Sequence, residues 1–333
     1  MKAPSFWWQD TPGWPARLLS PLGSLYGAIT AGRMRKPGAR IGRPVICIGN
    51  FIAGGAGKTP TAIAIARLLA QRGETPFVLM RGYGGQLPGP VEVDPAAHAA
   101  ADVGDEPLLM ARRARTVIAR DRLAGGVLAA RAGASVLVMD DGLQNPALAK
   151  DLVLAVVDGA SGIGNGLCLP AGPLRAPLAL QLPTVDALVL IGGGAAGERV
   201  AQAAKAAGKP VLRGALRPEE AVANHLRGRP VLALSGIGRP EKFRATLEAM
   251  GAQVRAEARF GDHHAYRESD VADVIAQARR LGTLVATTEK DMTKLQPLWP
   301  AQEADLLVPV PVTLVFDEPE LVVALVNRVL ATR

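Results

Sequence analysis

Apolar residues along this chain fall mainly in short continuous runs, which are separated by glycine, proline and charged residues. Runs of this length are typical of strands that are buried on both faces of a parallel sheet. They cover residues 44–48, 75–80, 116–119, 135–139, 152–157, 186–191, 230–234 and 285–288. Between several of them, apolar residues recur with the spacing of amphipathic helices, as in residues 61–69. The pattern therefore predicts an α/β fold in which parallel strands alternate with helices.

The length of the chain allows more than one hydrophobic core. With 333 residues, two α/β units can each bury a core of ordinary size. The charged, strand-poor stretch 217–229 indicates the boundary between them. We expect a larger domain over residues 41–215 and a smaller α/β domain over residues 216–314. A helix within residues 315–333 is expected to pack back on the larger domain.

Residues 1–40 are predicted to form an amphipathic segment at a membrane interface. Tryptophans, an apolar helical stripe and trailing basic residues occur here in turn: Trp7, Trp8, Trp14, then Leu18, Leu22, Leu25, Ile29, then Arg33, Arg35, Lys36, Arg40 and Arg43. Such a pattern suits the headgroup region of a bilayer. The uncharged run 18–32 is too short to span a bilayer, and the start lacks the features of a signal peptide. A helix that docks this stripe on the protein's own core would show the same pattern.

Charge and cysteine content limit the binding partners and the cellular compartment that we expect for the protein. A formal net charge of +8 and a pI of about 9.9 favour a polyanionic partner, either nucleic acid, an anionic membrane or a phosphorylated substrate. Nucleic acid is not expected, because the sequence has no zinc-finger, RNA-recognition or helix-turn-helix signature. An arginine excess that only keeps the chain soluble is the other interpretation. Cys47 and Cys168 show neither metal-site spacing nor a disulfide framework, which fits the reducing cytoplasm.

A candidate phosphate loop lies between the first predicted strand and the helix predicted over residues 61–69. Its candidate nucleotide-binding residues are Gly54, Gly55, Ala56, Gly57, Lys58, Thr59 and Pro60. Glycines let backbone N–H groups turn towards phosphate oxygens at the positive end of a new helix. Lys58 is then expected to reach the β- and γ-phosphates of ATP, and Thr59 to ligate Mg²⁺. Ile52 stands where the full motif has its first glycine, and a glycine-rich turn without a nucleotide is the alternative.

A second motif of nucleotide-binding proteins follows farther along the chain. The apolar run 135–139 ends in Asp140 and Asp141, as in a Walker B strand that brings a carboxylate to the Mg²⁺ held by Thr59. The two motifs together predict a three-layer domain like those of P-loop NTPases, with ATP and Mg²⁺ as cofactors.

Polar residues at other strand ends are candidates for the acceptor site. Arg81 and Tyr83 follow one strand, and ligands of open α/β sheets bind at such ends. Asp105 and Glu106 stand at a predicted helix start, where acids also occur simply as helix caps. The arginines between Arg112 and Arg122 are suited to clamping a phosphate, although a solvated face is equally compatible with them.

Two further segments contribute polar candidates. Arg175 lies in a long loop rich in glycine and proline, and a loop of this size in a compact domain is usually functional. Asp262 and His263 form an acid–imidazole pair that is suited to acid–base chemistry, although loop histidines are often only surface residues. We expect the adjacent His264 to face away from the site.

Taken in order, these motifs resemble those of the tetraacyldisaccharide 4'-kinase family of lipid A biosynthesis, over nearly the whole chain. The resemblance rests on residues 49–59, 81–84, 104–107, 140–145, 169–177, 236–240, 262–266 and 287–291. The chain departs from the family pattern at Leu143 and Asn145, which replace Phe and His, at Ala176, which replaces Glu, and at Arg239, which replaces Asn. Asn145 leaves open the role of the family's histidine at that position.

The resemblance implies a kinase that transfers the γ-phosphoryl group of ATP to the 4'-hydroxyl of an acylated glucosamine disaccharide 1-phosphate. It also implies a catalytic pair of Asp105 and His263, and we expect a peripheral monomer at the cytoplasmic face of the inner membrane. The remaining assignments are catalytic roles for Asp262, Lys58 and Asp141, metal ligation by Thr59, Asp140 and Asp141, and substrate binding by Arg81, Tyr83, Glu106, Arg122, Gln144 and Arg175.

The competing hypothesis is a membrane-associated switch or partitioning ATPase. Such ATPases carry a lysine just before the glycine pair of the phosphate loop, where this chain has Ala53. Guanine-nucleotide switches need an Asn-Lys-x-Asp motif, and the spacing of Glu289-Lys290-Asp291 does not match it.

Overall fold

A computed structural model describes residues 3–262 and 264–331. The strands are β1 Val45–Gly49, β2 Pro76–Met80, β3 Val91–Glu92, β4 Arg115–Ile118, β5 Val136–Asp140, β6 Leu152–Asp158, β7 Ala187–Ile191, β8 Val211–Pro218, β9 Pro230–Ser235, β10 Gln253–Arg259, β11 Leu284–Thr288, β12 Leu307–Val310 and β13 Val312–Phe316. The α-helices are α1 Trp14–Met34, α2 Lys58–Ala70, α3 Ala100–Val103, α4 Asp105–Ala111, α5 Arg122–Arg131, α6 Leu178–Gln181, α7 Ala195–Ala206, α8 Glu220–Leu226, α9 Pro240–Ala249, α10 Glu268–Leu281, α11 Glu289–Leu295 and α12 Pro319–Leu330.

A large sheet forms the centre of the molecule, with the strand order β13-β8-β7-β6-β1-β5-β2-β4-β3. The strands from β8 to β4 in this order are parallel, whereas β13 and β3 at the two edges run antiparallel to their neighbours. Every residue of β1, β5 and β6 is buried, because helices cover both faces of a parallel sheet. The α/β expectation and its continuous apolar strands are therefore confirmed.

A smaller sheet of four parallel strands, in the order β10-β9-β11-β12, forms a second unit with its own apolar clusters. The predicted domain limits stay a prediction, but the strands on both sides of this unit pair with each other in the large sheet. β8 runs past residue 215 to Pro218 and pairs with β13, and α12 packs its valines into the core of the large sheet. The chain thus leaves the large sheet after β8 and returns to it at β13.

Helix α1 packs on the protein through its small residues and exposes its large ones. The buried face consists of Ala16, Gly23, Gly27, Thr30 and Ala31. The exposed face, called the Leu face below, consists of Trp14, Leu18, Leu22, Leu25, Tyr26 and Ile29, with Leu18 71% and Leu25 61% exposed. The alternative in which this stripe docks on the protein's own core is therefore wrong. Among the described residues, no helix is long and apolar enough to cross a membrane.

Candidate active site

The phosphate loop, residues 50–57, connects β1 at the centre of the large sheet to the N-terminus of α2. Gly57 caps α2 with φ 93°, and a β-carbon there would lie 2.6 Å from the Ile191 side chain. Gly54 has φ 133°, which favours glycine, and the space around it is open. The loop therefore turns its backbone at the positive end of a helix, which is the geometry that binds phosphate.

The Lys58 side chain folds back over this loop. Its Nζ donates a hydrogen bond of 3.4 Å to the Gly54 carbonyl and lies 3.7 Å from Asp141 Oδ1. The Asn50 side chain also donates to the Gly54 carbonyl, at 3.2 Å. A cation held above a ring of N–H groups is suited to contacting the terminal phosphates of a nucleotide.

Asp140 ends β5 directly beside the phosphate loop, because Ile48 of β1 is in register with it. Its side chain is buried, and Oδ1 has no hydrogen-bond partner among residues 3–262 and 264–331. Burial raises the pKa of Asp140 to about 7, the charge of Lys58 opposes this, and the charges of Asp141 and Glu106 act in the same direction as burial. A buried carboxylate oxygen without a partner is what a divalent cation would satisfy.

Asp141 is held by an arginine from a distant loop. Arg175 donates two hydrogen bonds to its carboxylate, at 2.8 and 3.0 Å, and Asp141 itself has φ 53°. Burial raises the pKa of Asp141, but the charges of Lys58 and Arg175 outweigh it, so that the pKa lies below its usual value. Arg175 also donates to Gln144, which in turn donates to the Asn50 carbonyl at 2.8 Å. Arg175 and Gln144 thus bind the candidate Walker B carboxylate and the phosphate loop to each other.

These residues fit a nucleotide with Mg²⁺. The phosphate loop supplies N–H groups and a lysine, and Asp140 supplies an unsatisfied carboxylate oxygen one strand away. The part of the chain that the structure describes has no group of three or more His, Cys, Asp or Glu side chains arranged for a metal. This is compatible with Mg²⁺, which binds through one or two carboxylates and the phosphates of its nucleotide.

The other predicted substrate residues surround this centre in different environments. Arg81 and Tyr83 lie in the loop that follows β2, and Tyr83 is 72% exposed. Arg122 is buried, donates to the Asp140 and Ala119 carbonyls, and has its pKa lowered to about 10 by that burial. Arg81 and Tyr83 are therefore accessible to an acceptor, whereas Arg122 supports the backbone beneath Asp140.

A cluster of charged residues, called the α4–α11 cluster below, joins the two sheets. It consists of Asp105 and Glu106 at the start of α4, Lys290 and Lys294 on α11, and Asp262 in the loop after β10. Lys290 Nζ lies 3.3 Å from Glu106, 3.3 Å from Asp262 and 3.9 Å from Asp105. Lys294 Nζ lies 3.8 Å from Asp105. Burial by itself lowers the pKa of Lys290, but the three carboxylates raise it by more than burial lowers it. The pKa therefore lies above its usual value, and this lysine stays charged.

Two histidines, His263 and His264, follow Asp262 of this cluster in the chain. His263, predicted to pair with Asp105, lies outside the described residues. His264 turns to α10, where its Nε2 lies 3.0 Å from Asp270 Oδ2, and its ring stacks on Phe260. His264 therefore belongs to the packing of the smaller unit.

Sequence reasoning missed both lysines of the cluster. The motif Thr-Thr-Glu-Lys-Asp at the end of β11 was the available signal, since polar residues at the carboxyl end of a strand mark a ligand site. Thr288 caps α11, and buried Asp291 accepts a hydrogen bond from Gly236 N at 2.9 Å. Together these contacts fix the start of the helix that carries Lys290. Of the arginines between Arg112 and Arg122, Arg113 forms ion pairs with Glu289 and Glu219.

A second contact between the units lies at the end of β6. Asp158 accepts hydrogen bonds from Arg239 at 3.1 Å and from Lys242, and the Arg239 guanidinium lies 5.3 Å from the Trp8 ring centroid. Arg239 is one of the departures from the family pattern, so this contact uses a residue that the pattern does not contain. Of the other departures, Leu143 is buried against Cys47 and Phe51, Ala176 is buried, and Asn145 accepts from Ala147 N in a turn.

Comparison with known proteins points to the same family as the sequence motifs. A family model described as tetraacyldisaccharide-1-P 4'-kinase matches residues 15–330. Proteins named tetraacyldisaccharide 4'-kinase are 55% identical in Methylobacterium sp. (strain 4-46) and 52% identical in Bradyrhizobium sp. (strain ORS 278). The first comparison covers 100% of this chain and 99% of the relative, and the second covers 98% of each.

A solved structure agrees in fold. The crystal structure of LpxK from Aquifex aeolicus in complex with ATP is 26% identical, with a TM-score of 0.73, and the match covers 95% of this chain and 99% of that chain. The phosphate loop, the Asp140–Asp141 pair and the α4–α11 cluster all lie within residues 15–330, which the family model matches. The protein belongs to the tetraacyldisaccharide 4'-kinase family.

Proposed function

We propose that this kinase transfers the γ-phosphoryl group of ATP to the 4'-hydroxyl of tetraacyldisaccharide 1-phosphate, in the biosynthesis of lipid A. It acts with Mg²⁺ as a peripheral monomer at the cytoplasmic face of the inner membrane. The observation that carries the proposal is geometric. Lys58 lies over the phosphate loop, with its Nζ 3.4 Å from the Gly54 carbonyl and 3.7 Å from Asp141, and the buried Asp140 stands beside the loop at the end of β5.

The phosphate loop and Lys58 bind the phosphates of ATP in this proposal. N–H groups at the start of α2 donate hydrogen bonds to the phosphate oxygens, and Lys58 neutralises the charge that develops on the transferred group. Thr59, Asp140 and Asp141 would hold Mg²⁺, which supplies charge neutralisation at the phosphates when it is bound. Arg175 keeps the Asp141 carboxylate in place through its two hydrogen bonds.

Asp105 is the proposed base for the acceptor. The 4'-oxygen forms a bond to the γ-phosphorus while the bond from that phosphorus to the β,γ-bridging oxygen breaks, and the hydroxyl proton passes to the Asp105 carboxylate. ADP leaves with the electron pair of the broken bond. Lys290 and Lys294 fix the position of Asp105 from the smaller unit. His263 is proposed as the partner of Asp105 on the strength of the sequence resemblance, and Asp262 anchors the same loop to Lys290.

The acceptor site proposed here continues outward from this centre. Arg81 and Tyr83 are exposed after β2, Glu106 lies 3.3 Å from Lys290 Nζ, and Gln144 donates a hydrogen bond to the Asn50 carbonyl of the phosphate loop. Arg81 suits the 1-phosphate of the acceptor, because guanidinium groups bind phosphate. Tyr83 suits its sugar rings, because aromatic rings pack on apolar sugar faces.

A direct assay tests the proposed reaction. Purified full-length protein is incubated with ATP, Mg²⁺ and tetraacyldisaccharide 1-phosphate in detergent micelles, and phosphate on the 4'-oxygen is measured. The control acceptor is the same lipid with its 4'-hydroxyl already phosphorylated, which should accept nothing. ATP hydrolysis that ignores both lipids, without transfer, would instead favour the switch or partitioning ATPase.

The Leu face of α1 is the proposed membrane contact. Replacing Leu22 and Leu25 together by glutamine is expected to lower partitioning into vesicles of phosphatidylethanolamine and phosphatidylglycerol by about a hundredfold or more, because burying each leucine contributes roughly 1.5–3 kcal/mol. Both side chains are more than half exposed. Co-sedimentation with the vesicles measures the effect.

The matched control for this experiment replaces Leu281 and Leu321 by glutamine. These leucines lie on α10 and α12 and are each 42% exposed, so the change in surface hydropathy is similar while the Leu face stays intact. Equal partitioning of the two double variants would show that the Leu face is not the membrane contact.

A further inference from the structure

A small ladder of three chain segments lies beside the phosphate loop, away from both main sheets. Residues 51–53, the first part of the loop, pair antiparallel with residues 173–175. Ala53 N donates to the Pro173 carbonyl at 2.8 Å, and Arg175 N donates to the Phe51 carbonyl at 2.9 Å. Residues 167–169 pair with the other side of 173–175 through Leu169 N, which donates to the Leu174 carbonyl at 2.9 Å.

The outer side of this ladder rests on α1. Gly23 and Gly27 allow the helix to approach so closely that an added β-carbon would lie 2.7 Å from the Cys168 carbonyl oxygen and 2.8 Å from Cys168 Sγ, respectively. Gly27 also contacts Pro177, where an added β-carbon would lie 3.0 Å from Cδ. The helix thus supports residues 168–177 along their length, and Cys168, Ala171 and Leu174 are buried beneath it.

The segment before α1 adds hydrogen bonds to the same loop. Trp7 Nε1 donates to the Pro170 carbonyl at 2.9 Å, and Asn165 N donates to the Trp7 carbonyl at 2.7 Å. The Asn165 side chain donates to the Phe6 carbonyl at 3.2 Å and to the Ala171 carbonyl at 3.0 Å. Residues 5–34 therefore hold the loop 165–177 through both main-chain contacts and packing.

The inner end of the ladder reaches the nucleotide centre at two points. Its residues 173–175 fix the first part of the phosphate loop, and the Arg175 side chain donates hydrogen bonds to the Asp141 carboxylate. The loop 165–177 contains no helix and no strand of either main sheet, so its shape depends on the elements that support it. A displacement of this loop would move the phosphate loop and Asp141 together.

We propose that residues 5–34 are a positioning element of the nucleotide site, in which Trp7, Gly23 and Gly27 set the phosphate loop and Asp141 through the ladder. This rests on the proposed function only in taking ATP as the nucleotide. Phosphoryl transfer depends on preorganised charge, so a support that removes freedom from the loop strengthens nucleotide binding. The helix then has two separate faces, the Leu face for the membrane and the glycine face for the nucleotide site.

The test compares substitutions at two glycines of the same helix. Gly27→Val places methyl groups against Cys168 and Pro177, whereas Gly32→Val enters open space at a similar cost in helix propensity. Affinity for a fluorescent ATP analogue is measured on the full chain without lipid, and KM for ATP is measured in micelles. Gly27→Val is expected to lower the affinity for the ATP analogue about tenfold and to raise KM for ATP about tenfold, since small displacements of a reacting group are costly. Gly32→Val should match the parent protein.

Rescue separates positioning from general damage. Adding Cys168→Ala to Gly27→Val removes the Sγ atom in the way and should restore much of the lost ATP affinity, with Cys168→Ala alone as the reference. If Gly27→Val fails to fold, Trp7→Phe replaces it, because this change removes the hydrogen bond to Pro170 and keeps an aromatic ring. It should weaken ATP binding about threefold, as expected for the loss of one hydrogen bond.

Unchanged ATP affinity in folded Gly27→Val, or in Trp7→Phe where it is the substitute, would overturn the proposal. So would equal losses in Gly27→Val and Gly32→Val. Because ATP binding is measured without any acceptor, these outcomes are independent of whether the lipid is the proposed one.

Discussion

Replacing Lys58 by alanine is expected to lower kcat by about a thousandfold, because the variant lacks the fixed cation that neutralises charge on the transferred phosphoryl group. The ammonium group is already placed for this, at 3.4 Å from the Gly54 carbonyl and 3.7 Å from Asp141. Asp141 has Arg175 as a second partner, so the local structure should survive the change. Steady-state kinetics with saturating ATP and acceptor measure the effect.

Lys205→Ala is the control for this prediction, since Lys205 is an exposed lysine on α7. It should leave kcat and KM as they are in the parent protein. A Lys58→Ala enzyme with near parental kcat would show that the loop 50–57 does not hold the reacting phosphates, and the assignment of the phosphate loop would then be wrong.

Asp105→Asn is expected to lower kcat by about a hundredfold to ten-thousandfold, the range for the loss of a general base. Asparagine keeps the shape of the side chain but cannot accept the hydroxyl proton. ATP affinity should be nearly intact, because the phosphate loop and Asp140 lie on other elements. Comparing kcat with the affinity for an ATP analogue separates the two effects.

The predicted pairing with His263 gives this experiment a second arm. His263→Ala should also lower kcat strongly, and the double variant should lose less than the two single losses combined, as for residues that act as a unit. His264→Ala is the matched control, because its side chain contacts Asp270 and Phe260 and should affect only the stability of the smaller unit. Independent, fully additive losses in the Asp105 and His263 variants would contradict the pairing.

Asp105 also has a structural role that the control must exclude. Its carboxylate lies near Lys290 and Lys294, so its neutralisation weakens a contact between the two sheets. Asp273→Asn, on the exposed side of α10, changes the same kind of group without touching this cluster. If Asp105→Asn mainly lowered the unfolding temperature and left kcat unchanged, Asp105 would be a structural residue and not the base.

Local features of the sequence determined the nucleotide centre. A buried strand, three glycines and a lysine at a helix start specify a phosphate loop within a few residues, because the glycines and the start of the helix are both local features of the sequence. β1, β2, β5, β6 and β7 follow the apolar runs closely for the same reason, since strands buried on both faces need no alternation. The strand next to one edge of the large sheet was harder to predict. β8 carries Arg213, Gly214 and Arg217, so its sequence has no continuous apolar run.

Only the tertiary structure decided what depends on distant partners. The sequence showed an apolar stripe on α1, but the close approach of Gly23 and Gly27 to Cys168 determined that this stripe faces outward. The predicted substrate contact of Arg175 stays a prediction, whereas its hydrogen bonds to Asp141, 34 residues earlier in the chain, came from the fold alone. Lys290 meets Glu106 only because α11 of the smaller unit, 184 residues farther along the chain, lies against α4 of the larger one. Side-chain pairing at such separations follows from how whole elements pack, and no local pattern contains that information.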